Sequence, residues 1–227
     1  MRISFIGAGH ITELLINHLV SDVMFEADDL TISDPDGNRC AELKRRFGVS
    51  VAADNCEAVS RSDFTFVCVQ PHIVRKVIDE LKDTCLRGRI LISVSAGIST
   101  GLYRSELPDA VVARILPNPP SGIGEGAIPV TISGNADGEQ VESIMKLVGL
   151  FGKSFIVPED KIDIFTSLTS PAPVLTFFET MIDASVLCGL DRETSSAMVF
   201  QTVMGCLKMW EKNGFNLNEL IVKSCTP

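Results

Sequence analysis

Positive charge is in short supply. Against 29 Asp and Glu stand 20 Lys and Arg, a formal net charge of −9, and no basic run exceeds Lys44-Arg45-Arg46. Nucleic acids recruit proteins through clustered cations, so general nucleic-acid binding is excluded, while a local basic pocket for one phosphate stays open. The seven cysteines include no Cys-x-x-Cys pair or Cys/His cluster, and the three histidines are scattered. This argues against any metal site, and an odd set of dispersed thiols fits a reducing cytoplasm better than secretion. Long apolar runs are missing too. The best stretch, 174–187, is broken by Glu179 and Asp183 and is no match for the ~18 uninterrupted residues of a membrane span. The opening Met-Arg-Ile-Ser-Phe-Ile-Gly is too short an apolar run for a signal peptide. A soluble, cytoplasmic protein without a membrane partner is expected.

What is present is apolar. The 227 residues are 45% hydrophobic with a mean hydropathy of +0.26, enough for a substantial core and, in excess of that, a surface hidden by a partner chain. From residue 2 to residue 157 short β-branched runs alternate with helical patterns. Strands are expected at 3–6, 30–33, 49–52, 64–69, 90–94, 111–115, 127–132 and 155–157, the arrangement of a mostly parallel sheet wound on both faces by helices. Ile11, Leu14, Leu15, His18 and Leu19 space like one helix face, as do Val141, Ile144, Met145 and Val148. After Pro158 the alternation stops, which places a domain boundary there: 1–158, then an all-helical 159–227. Val174, Phe177, Phe178, Met181 and Ile182 stripe one helix, and Met198, Val199, Thr202, Val203, Cys206, Leu207 and Trp210 a second, with Asp191 as its N-cap. Helices this apolar are expected to bury their stripes, most economically against a second copy of the chain.

The chemistry begins at Gly7-Ala8-Gly9-His10-Ile11-Thr12, which follows the first strand and opens a helix. The first glycine permits a tight turn, and the second lets a pyrophosphate approach the amides of the helix N-terminus, where the dipole favours anions. Thr12 replaces the usual third small residue. His10 and Ile11 stand where the helix amides would meet the pyrophosphate, and a protonated His10 would add one favourable charge. At the end of the second strand, Ser33-Asp34-Pro35-Asp36 is ambiguous. Asp34 suits the ribose 2′-hydroxyl of NAD, Ser33 and Arg39 would suit the 2′-phosphate of NADP, and a plain Asp-Pro turn is the bland alternative. The fold class is therefore α/β, a Rossmann-type doubly wound sheet followed by a helical domain, with NADP or NAD as cofactor.

Further along, Asp54-Asn55, Val69-Gln70-Pro71, Ser93-Val94-Ser95-Ala96-Gly97-Ile98 and Arg114-Ile115-Leu116-Pro117-Asn118-Pro119-Pro120 occur in order after successive strands. In this set and its spacing the chain resembles the pyrroline-5-carboxylate reductase family, whose counterparts read Gly-x-Gly-Asn-Met-Ala, Asp-Asn, Val-Lys-Pro, Ser-Ile-Ala-Ala-Gly-Ile and Arg-x-Met-Pro-Asn-Thr-Pro. In the helical region Ser170-Pro171-Ala172, Glu179, Asp183-Ala184, Gly189-Leu190, Gln201-Thr202-Val203-Met204-Gly205 and Lys208 are similar to the family's helices in register. The resemblance implies NAD(P)H-dependent reduction of the imine 1-pyrroline-5-carboxylate to proline. It implies a dimer or higher homo-oligomer built through the helical domain. The cofactor contacts it implies are Gly7, Gly9, His10, Ile11, Ser33, Asp34, Asn55, Val69, Gln70, Pro71, Ala96, Gly97 and Asn118, with Ser170 and Thr226 touching substrate.

Several positions depart from the family. Gln70 replaces its lysine, Ser167-Leu168-Thr169-Ser170-Pro171 its Ser-Gly-Ser-Gly-Pro, Pro173 its tyrosine, and Phe215-Asn216-Leu217 its Glu-His-Pro. Thr226-Pro227 matches the first two residues of the Ser-Pro-Gly-Gly-x-Thr loop that grips the substrate carboxylate, so the helical domain is expected to be truncated relative to the family. Two alternatives follow: a related reductase of another imine or keto acid, and a non-catalytic nucleotide-binding relative. Among the remaining features, Asn118 suits a turn cap as well as a cofactor contact. Glu179 and Asp183 read as a polar edge before a paired-acid site, and Ser167, Thr169 and Ser170 as caps of the helix near Pro171.

Overall fold

A computed structural model describes residues 1–21, 23, 25–214 and 216–224. The chain divides into two compact units, Met1–Ser170 and Pro171–Pro227.

In the first unit the strands are β1 (Ile3–Ile6), β2 (Leu30–Ser33), β3 (Ser50–Val51), β4 (Phe64–Val67), β5 (Ile90–Ser93), β6 (Val111–Ile115), β7 (Gly126–Ile132) and β8 (Gly152–Ile156). They form one sheet in the order β3-β2-β1-β4-β5-β6-β7-β8. Every neighbouring pair is parallel except β6–β7. The chain moves outward from β1 through β2 to β3, then returns to lay β4 beside β1. That reversal makes the crevice outside the carboxyl ends of β1 and β4 the expected ligand position in a sheet of this kind.

Period-two alternation splits the strands between two cores. Ile3 and Phe5 face one core with Leu15, Ile16 and Leu19 of α1 (His10–Ser21), Leu43 of α2 (Gly37–Phe47), and Ile144, Leu147 and Val148 of α6 (Gly138–Gly149). Ile6 and Val67 face the other, with Val59 of α3 (Asn55–Ser60), Val74, Val77, Ile78 and Leu81 of α4 (Pro71–Leu81), and Tyr103 of α5 (Thr100–Glu106). Phe5 stacks on Phe66 at 5.0 Å, and Phe66 meets Phe151 edge-on at 6.0 Å. Because both faces are covered, the central strands are buried at every position, the condition of a parallel sheet.

Strand limits differ from expectation by one residue at the end of β5 and the start of β7, and more in β3, β4 and β8. β4 ends at Val67 instead of 69, since Pro71 occupies the first turn of α4 and residues 68–70 must make the corner. The β3 ladder is confined to two residues, although Ala52 N–H still bonds Ile32 O at 2.9 Å. β8 begins at Gly152, ahead of the expected 155. Its φ of +139° brings its backbone so near Gly126 that a Cβ would stand 2.1 Å from the Gly126 carbonyl oxygen. A strand that starts on glycine carries no apolar signal there.

The first compact unit, which ends at Ser170, includes the segment after Pro158. Ile162 is fully buried. The Glu159 carboxylate accepts from the Thr100 amide at 2.6 Å and its hydroxyl at 2.9 Å, and Asp163 pairs with buried Arg114 at 2.5 Å. These ties hold the segment that includes α7 (Ile164–Leu168) to the first unit.

The second unit comprises α8 (Ala172–Leu187), α9 (Arg192–Lys212) and α10 (Leu217–Ser224). Asp191 caps α9 by accepting from Thr194 N–H at 2.8 Å, as expected. Arg192 binds both Glu179 and Asp183, so these acids form a polar edge tied to one arginine. Among the described residues, none of α8 or α10 is buried, and in α9 Ser195 and Val199 are.

Candidate nucleotide site

The carboxyl ends of β1, β2, β4 and β5 deliver four loops to one edge of the sheet. The loop after β1 is the tightest. Gly7, at φ +99°, has its Cα so close to β4 that a Cβ would lie 2.8 Å from the Cys68 carbonyl oxygen. Gly9 is the opposite case, with nothing within 4 Å of where its Cβ would be. The first glycine makes the turn, and the second leaves open space before the first amides of α1, so the loop fits a pyrophosphate on a fixed helix N-terminus. Thr12 is accommodated because its fully buried hydroxyl donates to Gly7 O at 2.5 Å, adding a brace to the turn.

The loop after β2 is tied to this turn. Gly7 N–H bonds Ser33 O at 2.8 Å. Asp34 accepts from Ala8 N–H at 2.7 Å through one carboxylate oxygen and from Asp36 N–H at 2.8 Å through the other. Asp36 itself caps α2, accepting from Asn38 and Arg39 amides. Arg39 Nε donates to Ala8 O at 2.8 Å, and its two terminal nitrogens go to Glu13 and Glu42. The hydrogen bond from Arg39 holds the Glu13 carboxyl below its ordinary range, and Glu13 in turn raises Arg39.

Beyond these loops lies a 240 Å³ cleft lined by Ile6, Gly7, Ser33–Pro35, Ala53–Asn55, Val69 and a face of α4. At that size, below the ~300–1,000 Å³ of a whole-ligand pocket, it suits half of a dinucleotide. Asn55 bridges its walls, accepting from the Ser33 hydroxyl at 2.8 Å and donating to Glu80 at 2.5 Å. Of the residues expected at the cofactor, Gly7, Ser33, Asp34, Asn55 and Val69 line this cleft together. Gly9 precedes α1, and His10 and Ile11 open it, outside the lining of this cleft. Gln70 and Pro71 open α4, and Ala96 and Gly97 lie in the loop after β5, where Ser95 donates to Val69 O at 2.7 Å.

Asn118 falls elsewhere. Its side chain accepts from Ser121 and Ala127 and donates to Thr169 O at 3.0 Å. It is a turn brace that holds the segment preceding Ser170. The expected capping by Ser167, Thr169 or Ser170 is not seen: α8 has no side-chain cap, and the Thr169 hydroxyl turns back to Phe165 O at 2.7 Å. Thr226 and Phe215 lie outside the described residues. Sequence reading missed Lys76 and Glu80, which reach the cleft from α4. Their signal was present in the helical spacing of Ile73, Lys76, Val77 and Glu80. Burial pushes the Cys68 thiol up to about 12 and the Tyr103 hydroxyl likewise to about 12, so neither ionises near neutrality. Among the described residues no cluster of His, Cys, Asp and Glu would hold a metal, and no helix is long and apolar enough to cross a membrane.

A sheet that reverses beside its first strand, with a glycine turn at that point and an acid closing the next loop, defines a Rossmann-type dinucleotide-binding protein. Residues 2–97 match the family described as NADP oxidoreductase, coenzyme F420-dependent, and residues 159–227 match the pyrroline-5-carboxylate reductase dimerisation family. Over 231 residues the chain is 31% identical to pyrroline-5-carboxylate reductase 3 of Danio rerio, covering 100% of this chain and 80% of the relative. It is 30% identical over 224 residues to the pyrroline-5-carboxylate reductase of Corynebacterium melassecola, covering 96% and 83%. The NADP-bound pyrroline carboxylate reductase structure from Plasmodium falciparum shares the fold with a TM-score of 0.86 at 23% identity, covering 100% of this chain and 85% of that one. The chain belongs to the pyrroline-5-carboxylate reductase family.

Proposed function

We propose that the protein reduces 1-pyrroline-5-carboxylate to proline with NAD(P)H. The observation that carries this reading is the match along the whole chain to relatives of that name, joined to a cleft sized for half of a dinucleotide at the sheet's switch point. When bound, the reduced nicotinamide supplies a hydride to the imine carbon, while the nitrogen takes up a proton. The protein's part is positional. The Gly7–Gly9 turn and the amides of α1 receive the pyrophosphate, and Ser33, Asp34 and Asn55 receive the adenosine half. Val69, Gln70, Pro71, Ala96 and Gly97 line the path toward the reacting ring. Ser170 and Thr226 are assigned to the substrate. Asn118 acts on this side through the Thr169 carbonyl it holds.

We assign residues 1–158 to nucleotide binding and 159–227 to assembly and substrate. A homodimer through the helical region is supported by the dimerisation-family match and by the exposed apolar stripes described above. Cytoplasmic residence is supported by free, dispersed cysteines. The test is turnover of pyrroline-5-carboxylate with NADH and with NADPH, followed by nicotinamide absorbance and proline formation. Consumption of cofactor with proline produced is expected. Tight nucleotide binding without turnover would point instead to the non-catalytic relative.

A further inference from the structure

We infer that the adenosine end of the cleft accepts a ribose 2′-hydroxyl and rejects a 2′-phosphate, so that the protein prefers NADH to NADPH, with Asp34 as the deciding residue. The inference rests on the nucleotide reading above. Each group that would serve a phosphate is already committed elsewhere. The Ser33 hydroxyl, 5% exposed, donates to Asn55 Oδ1. The Arg39 fork is spent on Ala8 O, Glu13 and Glu42. The amides at the start of α2, a second natural anion site, are filled by the Asp36 carboxylate.

The charges that remain are of the wrong sign. Asp34, Asp54 and Glu80 line the cleft, and among the described lining residues Lys76 is the one cation. Lys76 is 73% exposed and lies 3.8 Å from Glu80, so solvent and that carboxylate screen it. Asp34 is pinned through both oxygens by backbone amides, yet each carboxylate oxygen keeps a second lone pair for a sugar hydroxyl. A phosphate of nearly two negative charges brought to the same place meets a fixed carboxylate with no compensating donor.

The experiment is paired titration of the full chain with NADH and NADPH by nicotinamide fluorescence, and with ADP-ribose and its 2′-phosphate by calorimetry, at one ionic strength. The wild type is expected to bind the unphosphorylated member of each pair about tenfold or more tightly, a ratio that narrows as salt screens the carboxylate. Asp34→Asn, which keeps an acceptor for the Ala8 amide, and Asp34→Ser should both shrink the ratio, with circular dichroism reporting the fold. Equal or tighter binding of the phosphorylated ligands by the wild type overturns the preference and leaves the nucleotide site standing. An unchanged ratio in the folded variants overturns the role of Asp34. Failure to bind any of the four ligands overturns the site itself. The wild-type ratio decides the preference whatever the variants' stability.

Discussion

The two units of this chain solve the burial problem in opposite ways. In the first, five strands are buried at every residue and two layers of helices cover them. In the second, α8 buries nothing, although Phe177 is 61% exposed, and α9 leaves Phe200 68% exposed. A unit of the first kind carries its own hydrophobic driving force. A unit of the second kind leaves large apolar side chains such as Val174, Phe177 and Phe200 exposed, which accords with its match to a dimerisation family. On the proposed function, one region is a scaffold for a ligand and the other for a second copy.

The most damaging change should fall in the scaffold. Gly7→Val combines left-handed backbone with a Cβ driven against the Cys68 carbonyl, each a penalty of about 1–3 kcal/mol. Loss of cooperative melting of the first unit is expected by circular dichroism; a normal melt would show that the turn can relax. Next comes Phe200→Glu in the second unit, which would bury an unpaired carboxylate in an interface at about 3–5 kcal/mol. Sedimentation should show monomer while the first unit melts normally. An intact oligomer would mean that this face serves something else.

Gly9→Val separates ligand from fold. No protein atom lies within 4 Å of the added Cβ, so stability should hold while nucleotide affinity drops by about 1.4 kcal/mol or more, a factor of ten. Unchanged affinity by fluorescence titration would remove the pyrophosphate from this turn. Glu159→Ala tests where the first unit ends. It deletes two hydrogen bonds to Thr100, a loss of about 1–2 kcal/mol in denaturant unfolding, and no loss would return the segment after 158 to the second unit. The smallest effect concerns pH. Since Arg39 depresses Glu13 in the folded state, that contribution is present above the ordinary glutamate range and fades as pH falls through the folded value. Glu13→Gln should flatten this acid limb by less than about 1 kcal/mol, because the pair is partly solvated.

Local rules settled a good deal. Strand identity and order of appearance, the helix cap at Asp191, the glycine turn and the place of Asp34 beside it all follow from neighbours a few residues apart, and each is readable along the chain. The stripes on α8 and α9 likewise announced a surface needing a cover. What required the folded molecule was every commitment made across long separation. The sequence left Asp34 against Ser33 and Arg39 open, because nothing local says that Arg39 turns to Glu13 or that Ser33 donates to Asn55. The bond from Asn118 to the Thr169 carbonyl, across 51 residues, has no local signal either. The ties of Asp163 to Arg114 and of Glu159 to Thr100 join residues far apart in the chain, and no local pattern announces them. Periodicity and caps are set by short-range sterics and hydrogen bonds, whereas a polar side chain's partner is chosen by whichever groups the packed sheet brings within reach.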